Sequence, residues 1–368
     1  MDDRLLRWLR CPACHSELRL SVYEEGHDGA ISAGLLLCCC GGRFPVWRRV
    51  PRMLLPGERQ LPKDYLQQFA EELETEAPEL ILEGDVQGSK KQFTFDMQWS
   101  MYRYGDLTWE LDLPTRVNYV YEYLRMKRGE LDGAVVLDAG CGNGTLTAGL
   151  AASGPEVIGL DYSRSVESAE REKHRFAGDA SRRVHYVQGS VLNPPFAVNT
   201  FDVIYSDGVL HHTPNTNASF SALAPLVKGH GRFFVWLYRN DARGVYRLKI
   251  ATAKKLQAIL RPFPLPVMRA ICYVGAVVLL THLRFLRLFG FRNRRIIPLS
   301  LKAVNLFDTL TPRYYHLHSR PEVQEWFAAN GFSNCVETTI PSLGHGGFGI
   351  LGVRQTKQDT VGMSAASA

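Results

Sequence analysis

The sequence predicts an α/β fold built on a doubly wound, mostly parallel sheet of seven strands, with a small cysteine-rich unit in front of it. Three observations carry that prediction. Short β-branched runs alternate with helix-like segments from residue 134 onward, a glycine-rich loop follows the first such run, and five of the eight cysteines fall before residue 41. At 368 residues the chain can hold one large domain or two smaller ones, each with its own core.

Residues 1–57 read as a compact unit of cysteines, short apolar runs and prolines, ending in RRVPRMLLPG. Residues 58–130 read as a linker followed by helices: first the acid-rich EELETEAPEL, then the aromatic FTFDMQWSMYRYGD and RVNYVYEYLRMKRG. Five strands are expected at 134–140, 156–162, 184–190, 201–208 and 231–239, with amphipathic stretches such as RSVESAEREKHRFAG between them. Residues 241–319 then interrupt the pattern, too long for an ordinary connection. A helix at 321–332 and strands at 335–341 and 347–355 complete the core over 320–356. The glycines of SLGHGG suit a tight reversal, so this last pair is expected to run antiparallel. The small-residue tail 357–368 reads as disordered.

Charge is distributed unevenly. The formal net charge is +6, yet residues 240–302 hold thirteen Lys or Arg and one acid, Asp241. That excess calls for an anionic neighbour: a membrane surface, an acidic substrate, a nucleic acid or an acidic partner. The apolar run ICYVGAVVLL has ten residues and is followed by Arg284 and Arg287, short of the roughly 20 apolar residues a span needs. A helical lid or a homodimer interface fits the segment, and so does peripheral membrane contact through a basic amphipathic helix over 265–295. It carries no nucleic-acid motif. The opening MDDRLLRWLR lacks the apolar stretch of a signal peptide, and the clustered cysteines are unlike a disulfide framework; both point to a cytoplasmic protein.

The loop in VVLDAGCGNGTLTAGL leaves the carboxyl end of the first sheet strand, where ligands bind in such folds. Gly140, Gly142 and Gly144 allow close backbone approach to a ligand. Asp161 ends the second strand about 20 residues further on, where an acid can accept both ribose hydroxyls of an adenosine. With VLDAGCGNG, VIGLDYS, VQGSVLNPPF, FDVIYSDGVLHHTPN and LVKGHGRFFVWLYR in order, residues 134–240 resemble the class I S-adenosylmethionine-dependent methyltransferases, especially the ubiquinone and menaquinone C-methyltransferase type. That resemblance implies a Rossmann-like sheet with S-adenosylmethionine as cofactor. It places Asp138 near the methionine end, and an acid there suits a ligand bearing an amine but no phosphate. It also places Ser190 where relatives carry an acid facing adenine, with the Val191 N–H as a second contact, and adds Asp207 to the cofactor set. Helices ahead of such sheets often cap the cofactor, so Gln98, Trp99 and Tyr102 are candidates, Trp99 first, although an aromatic stripe of this kind is equally plain core. Cys141 lies between glycines without a His or Cys partner in sequence and is expected to be a bystander.

Methyl transfer from a sulfonium needs positioning, and a base only when the acceptor must lose a proton. His211 and His212 follow the fourth strand and are the candidate catalytic bases, or else line the cofactor. Tyr314, Tyr315, His316 and His318 are further candidates for the acceptor pocket. The expected activity is methylation of a small-molecule biosynthetic intermediate at oxygen or carbon. The alternatives are an enzyme acting on RNA or protein, and a non-catalytic cofactor-binding module.

Cys11-Pro-Ala-Cys14 is a C-x-x-C knuckle, and Cys38 to Cys40 supply a second half 24 residues later. Four thiolates from two turns make a closed, structural zinc site. The expected ligands are Cys11, Cys14, Cys38 and Cys40, with Cys39 as the spare and His15 as a substitute. C-P-x-C, C-G-x-x-F-P and V-P-x-x-L-L resemble the zinc ribbon of methyltransferase activators, which implies a bacterial-type fusion that steadies the catalytic part or shapes substrate access.

Overall fold

A computed structural model of the chain describes residues 1–86, 94–101, 107–108, 110–241, 244–289, 297–338 and 346–356. The tail 357–368, Tyr102 and most of the SLGHGG reversal lie outside them. Helix α1 (Asp3–Leu6) leads into a four-stranded antiparallel sheet ordered β1 (Leu18–Glu25), β2 (Ile31–Cys38), β3 (Arg43–Trp47) and β4 (Val50–Pro51). Side chains alternate along β2. Ala33, Leu35 and Leu37 pack against α2 (Lys63–Gln68), α3 (Ala70–Glu76) and α4 (Pro78–Val86). Leu36 and Cys38 face the other way, into a core shared with the main sheet.

Helices α5 (Thr94–Met101) and α6 (Leu113–Leu124) precede that sheet. Its strands are β5 (Val135–Ala139), β6 (Glu156–Asp161), β7 (Val184–Gln188), β8 (Phe201–Asp207), β9 (Val227–Tyr238), β10 (Phe332–Glu337) and β11 (Gly347–Arg354). The order is β10-β11-β9-β8-β5-β6-β7, with β5 to β9 parallel and β11 antiparallel to both β9 and β10. Seven strands are present, with the antiparallel final pair, but β10 begins at Phe332, inside the stretch expected as helix, and 339–341 of the strand expected at 335–341 lie outside the described residues. The central strands read as apolar runs because both their faces are covered. On one face lie α6, α7 (Thr145–Ala151) and α8 (Ser165–Ala177); on the other lie α9 (Thr216–Leu223) and α13 (Arg320–Ala329).

The N-terminal unit docks along β7, the edge strand. The Met53 N–H donates to the Gln188 carbonyl at 2.7 Å, and buried Arg52 reaches Glu167 at 2.9 Å and the Gln188 side chain at 3.0 Å. An edge strand exposes unpaired backbone groups, and this docking covers them. Between β9 and α13 come α10 (Gly244–Leu260), α11 (Leu265–Leu288) and α12 (Leu299–Leu310), which share a separate apolar cluster with Met101 of α5. Helix α11 runs straight through Arg284 and Arg287. It also begins at Leu265, ahead of the ten-residue apolar run, and is long and apolar enough by length and composition to cross a membrane, with a mean hydropathy of 1.6, where the apolar run alone is not.

Candidate functional site

The chain reverses direction across the sheet between β5 and β8, so a crevice opens at their carboxyl ends. The glycine loop after β5 and the Asp207–Val209 turn after β8 flank it. Gly140 and Gly142 both have positive φ, and each meets a neighbour too closely for a side chain. A β-carbon on Gly140 would lie 2.3 Å from Val209, and one on Gly142 would lie 2.2 Å from the Trp99 indole.

Asp161 anchors this loop. One carboxylate oxygen accepts the Gly142 N–H at 2.8 Å, and the other accepts the Ser163 N–H at 2.8 Å and the Ser163 hydroxyl at 2.6 Å. A carboxylate offers about four acceptor positions, so one remains for a ligand. Burial raises its pKa against those bonds. Asp138 is buried and accepts the Thr147 hydroxyl at 2.6 Å. Burial, with repulsion from Asp161 and Asp207, pushes it up to about 6, while Arg116 pulls the other way. Asp207, at the end of β8, accepts the Tyr205 hydroxyl at 2.8 Å and is open to the crevice. Three acids thus converge from three adjacent strands, an arrangement that favours a cationic ligand and opposes a pyrophosphate.

Ser190 and Val191 are buried beyond the end of β7, where the Ser190 hydroxyl accepts the Leu192 N–H at 3.2 Å. Cys141 packs against Gly159, and burial drives its thiol well above 9, which makes it a poor nucleophile. It is a core side chain, as the sequence leads one to expect.

Helix α5 folds over the loop. Asp96 accepts the Arg164 N–H at 2.6 Å, Trp99 covers Gly142, and the Phe95 ring lies 5.9 Å from His212. Gln98 donates to Asp308 of α12 at 2.8 Å, joining cap and insertion. Burial pushes both Asp96 and Asp308 up to about 6. Neither acid is evident from sequence, because Asp308 stands 210 positions from its partner. Ser163 could have been found: an acid followed two residues later by serine at a helix start is a side-chain-to-backbone turn pattern.

The two histidines separate. His211 is fully buried, and neither ring nitrogen has a hydrogen-bond partner among the described residues; Tyr238 lies 4.0 Å away, centroid to centroid. His212 is half-buried and its Nδ1 lies 2.9 Å from the Tyr314 carbonyl. A carbonyl only accepts, so Nδ1 carries the proton and Nε2 the lone pair. Burial lowers the His212 pKa to about 4, keeping the ring neutral. Tyr315 stacks on Tyr238 at 4.6 Å, and His316 Nε2 lies 3.1 Å from the Thr213 carbonyl, so this loop braces the pair. His318 bonds Glu322 and Thr216 at 2.9 and 3.0 Å, which makes it a structural tie.

In the N-terminal unit, the sulfurs of Cys11, Cys14, Cys38 and Cys40 all lie within 4.8 Å of one another. Neighbouring pairs stand 3.3 to 3.6 Å apart. Tetrahedral zinc with Zn–S bonds of about 2.3 Å requires sulfurs about 3.8 Å apart, so the quartet fits. Gly41, at φ +89, turns the second knuckle, and its N–H donates to the Cys38 carbonyl at 3.1 Å. Cys39 is exposed and, like His15, outside the quartet.

Comparison with known proteins places the sheet in context. Residues 137–235 match the family described as methyltransferase domain. The chain is similar to ubiquinone biosynthesis O-methyltransferases: 34% identical over 152 residues to that of Vibrio cholerae, covering 40% of this chain and 57% of the relative. For Photobacterium profundum the match is 30% over 148 residues, covering 39% and 58%. The chain thus spans a little over half the length of these relatives. Among solved structures it is similar to magnesium protoporphyrin IX methyltransferase from Synechocystis PCC 6803 with S-adenosylhomocysteine bound (18% identity, TM-score 0.41, covering 71% and 94%). A second is phosphoethanolamine N-methyltransferase 2 of Haemonchus contortus (14% identity, TM-score 0.43, covering 74% and 60%).

Proposed function

We propose that this chain is a class I S-adenosylmethionine-dependent methyltransferase whose acceptor is a small molecule, a biosynthetic intermediate methylated at oxygen or carbon. The methyltransferase-domain match over 137–235 supports the reaction class. The observation that carries the reading is the convergence of Asp138, Asp161 and Asp207 on one crevice. S-adenosylmethionine joins a sulfonium and an amine to an unphosphorylated adenosine, which is the ligand such a floor favours.

In this reading Asp138 holds the amine and the free acceptor position of Asp161 takes a ribose hydroxyl, with Asp207 adding negative potential beside the methionine end. Ser190 and the Val191 N–H meet the adenine edge. Gly140 and Gly142 let the backbone come close, and Trp99 shuts the loop from water. When bound, S-adenosylmethionine supplies a methyl carbon already activated toward displacement. The chain's own contribution is position, a dry cleft and a proton acceptor. His212 is that acceptor: the Tyr314 carbonyl fixes its tautomer, and the neutral Nε2 takes the proton of an acceptor hydroxyl. His211 supports His212 from behind. Relatives named as O-methyltransferases support oxygen over carbon.

Cys11, Cys14, Cys38 and Cys40 would hold a structural zinc ion, and the ribbon built on them steadies the β7 edge. A methyl-transfer assay with a panel of small hydroxyl-bearing acceptors and radiolabelled cofactor tests the proposal. Labelled product supports it. Cofactor binding without turnover on any small acceptor would instead indicate a binding module.

A further inference from the structure

Helix α11 buries one stripe and exposes another, and both are apolar. Met268, Cys272 and Ala276, four residues apart, pack in the cluster with Leu301, Val304 and Phe307 of α12, and buried Leu280 continues the same stripe. On the opposite face Val267, Val274, Val278 and Phe285 recur at spacings of seven, four and seven, and are 41%, 66%, 61% and 55% exposed. Helix α10 adds exposed Leu248 and Ile259. Thirteen of the sixteen exposed large apolar side chains among the described residues fall within 244–299. A solvated helix places polar groups on its outer face, and patches of this kind mark contact surfaces. Residues 244–302 also contain twelve Lys or Arg and no Asp or Glu.

We propose that α10 and α11 seat the protein in the plane of an anionic lipid surface. The Val274–Val278–Phe285 stripe enters the acyl boundary, and flanking cations such as Arg284 meet the headgroup phosphates. The charge decides against a second copy of the chain: a symmetric interface would bring two acid-free sets of twelve cations together. A nucleic acid would match the cations but leave the valine and phenylalanine stripe in water. A spanning arrangement would strip the buried stripe of α11 from α12. Because α12 packs on the buried side of α11 and also carries Asp308, bonded to the cap residue Gln98, the seated helix is joined through α12 to the cover of the crevice. A lipophilic acceptor could then pass from bilayer to site, a consequence that rests on the methyl-transfer reading; the seating itself does not.

Co-sedimentation of the full chain with extruded vesicles tests the seating. Vesicles of mixed phosphatidylcholine and phosphatidylglycerol should pellet the protein, less so as salt rises, and phosphatidylcholine alone should not. Val274→Glu with Val278→Glu, both on the exposed face, should weaken binding at least tenfold. Arg284→Gln should weaken it about fivefold. Helical content and calorimetric cofactor affinity of these variants should match the parent, separating a failure of seating from a failure of the site. Three results would overturn the proposal. One is no binding to mixed vesicles. Another is a dimer in light scattering that Val274→Glu and Val278→Glu dissolve. The third is a protein that alkaline carbonate cannot extract from its host membrane.

Discussion

Asp161 accepts the Gly142 N–H at 2.8 Å, tying the acid at the end of β6 to the middle of the glycine loop. The same carboxylate therefore shapes the loop and keeps one acceptor position for a ligand. Asp161→Ala should weaken S-adenosylmethionine binding by about tenfold to a hundredfold, the range for a lost charged hydrogen bond, and lower the melting temperature as well. Asp161→Asn keeps one acceptor and should lie between the two. Calorimetric titration of the alanine variant with unchanged affinity would remove Asp161 from the site.

Asp138 should set the acid side of cofactor recognition. Its pKa is pushed up to about 6 by burial and the neighbouring acids, so its charge is lost as pH falls through that value. The cofactor amine then loses its partner, and kcat/KM for S-adenosylmethionine should fall below pH 6. Stability moves the other way. The folded carboxyl binds its proton more tightly than the unfolded one, so the cofactor-free protein loses stability as pH rises from about 4 to about 6. Asp138→Asn should therefore melt higher than the parent at pH 7 to 8 while binding cofactor more weakly. A parallel loss of both would contradict this account.

His212 should matter to turnover and not to cofactor binding. His212→Ala should lower kcat by about 10²-fold to 10⁴-fold on a hydroxyl acceptor, with calorimetric cofactor affinity unchanged. With a pKa of about 4 the ring is neutral throughout the working range, so the acid limb near pH 6 should persist in this variant's residual activity. A His212→Ala enzyme with full activity would return the residue to a lining role.

Metal analysis should find one zinc per chain, lost on replacing Cys11 and Cys14 by serine. The ribbon shares its apolar core with the main sheet, Leu36 and Cys38 lying in one cluster with Ile158 and Val187. Chelation should thus destabilise the whole protein by several kcal/mol within a single melting transition rather than release a separate unit. Replacing Cys39 should leave the zinc content unchanged. A metal-free protein with the parental melting temperature would count against the zinc site.

The strands were legible because β-branched runs and glycine turns are local signals, and Asp161, Gly140 and Gly142 fall at fixed offsets from them. The thiol quartet was legible from two short spacings. What escaped depends on contacts distant in sequence. His211 and His212 are indistinguishable as a dipeptide; only Tyr238 and the 314–316 loop close over one ring and bond the other. Gln98 reads as part of an aromatic cap until α12 brings Asp308 to it. The length of α11 was hidden because arginines end an apolar run, yet their long side chains extend away from a helix without breaking it.

Isothermal titration of the full chain with S-adenosylhomocysteine, alongside NAD as a dinucleotide control, tests the central claim most directly. The acid-floored crevice predicts one-to-one binding of S-adenosylhomocysteine and none of NAD. Binding of NAD alone, or of neither, would contradict it.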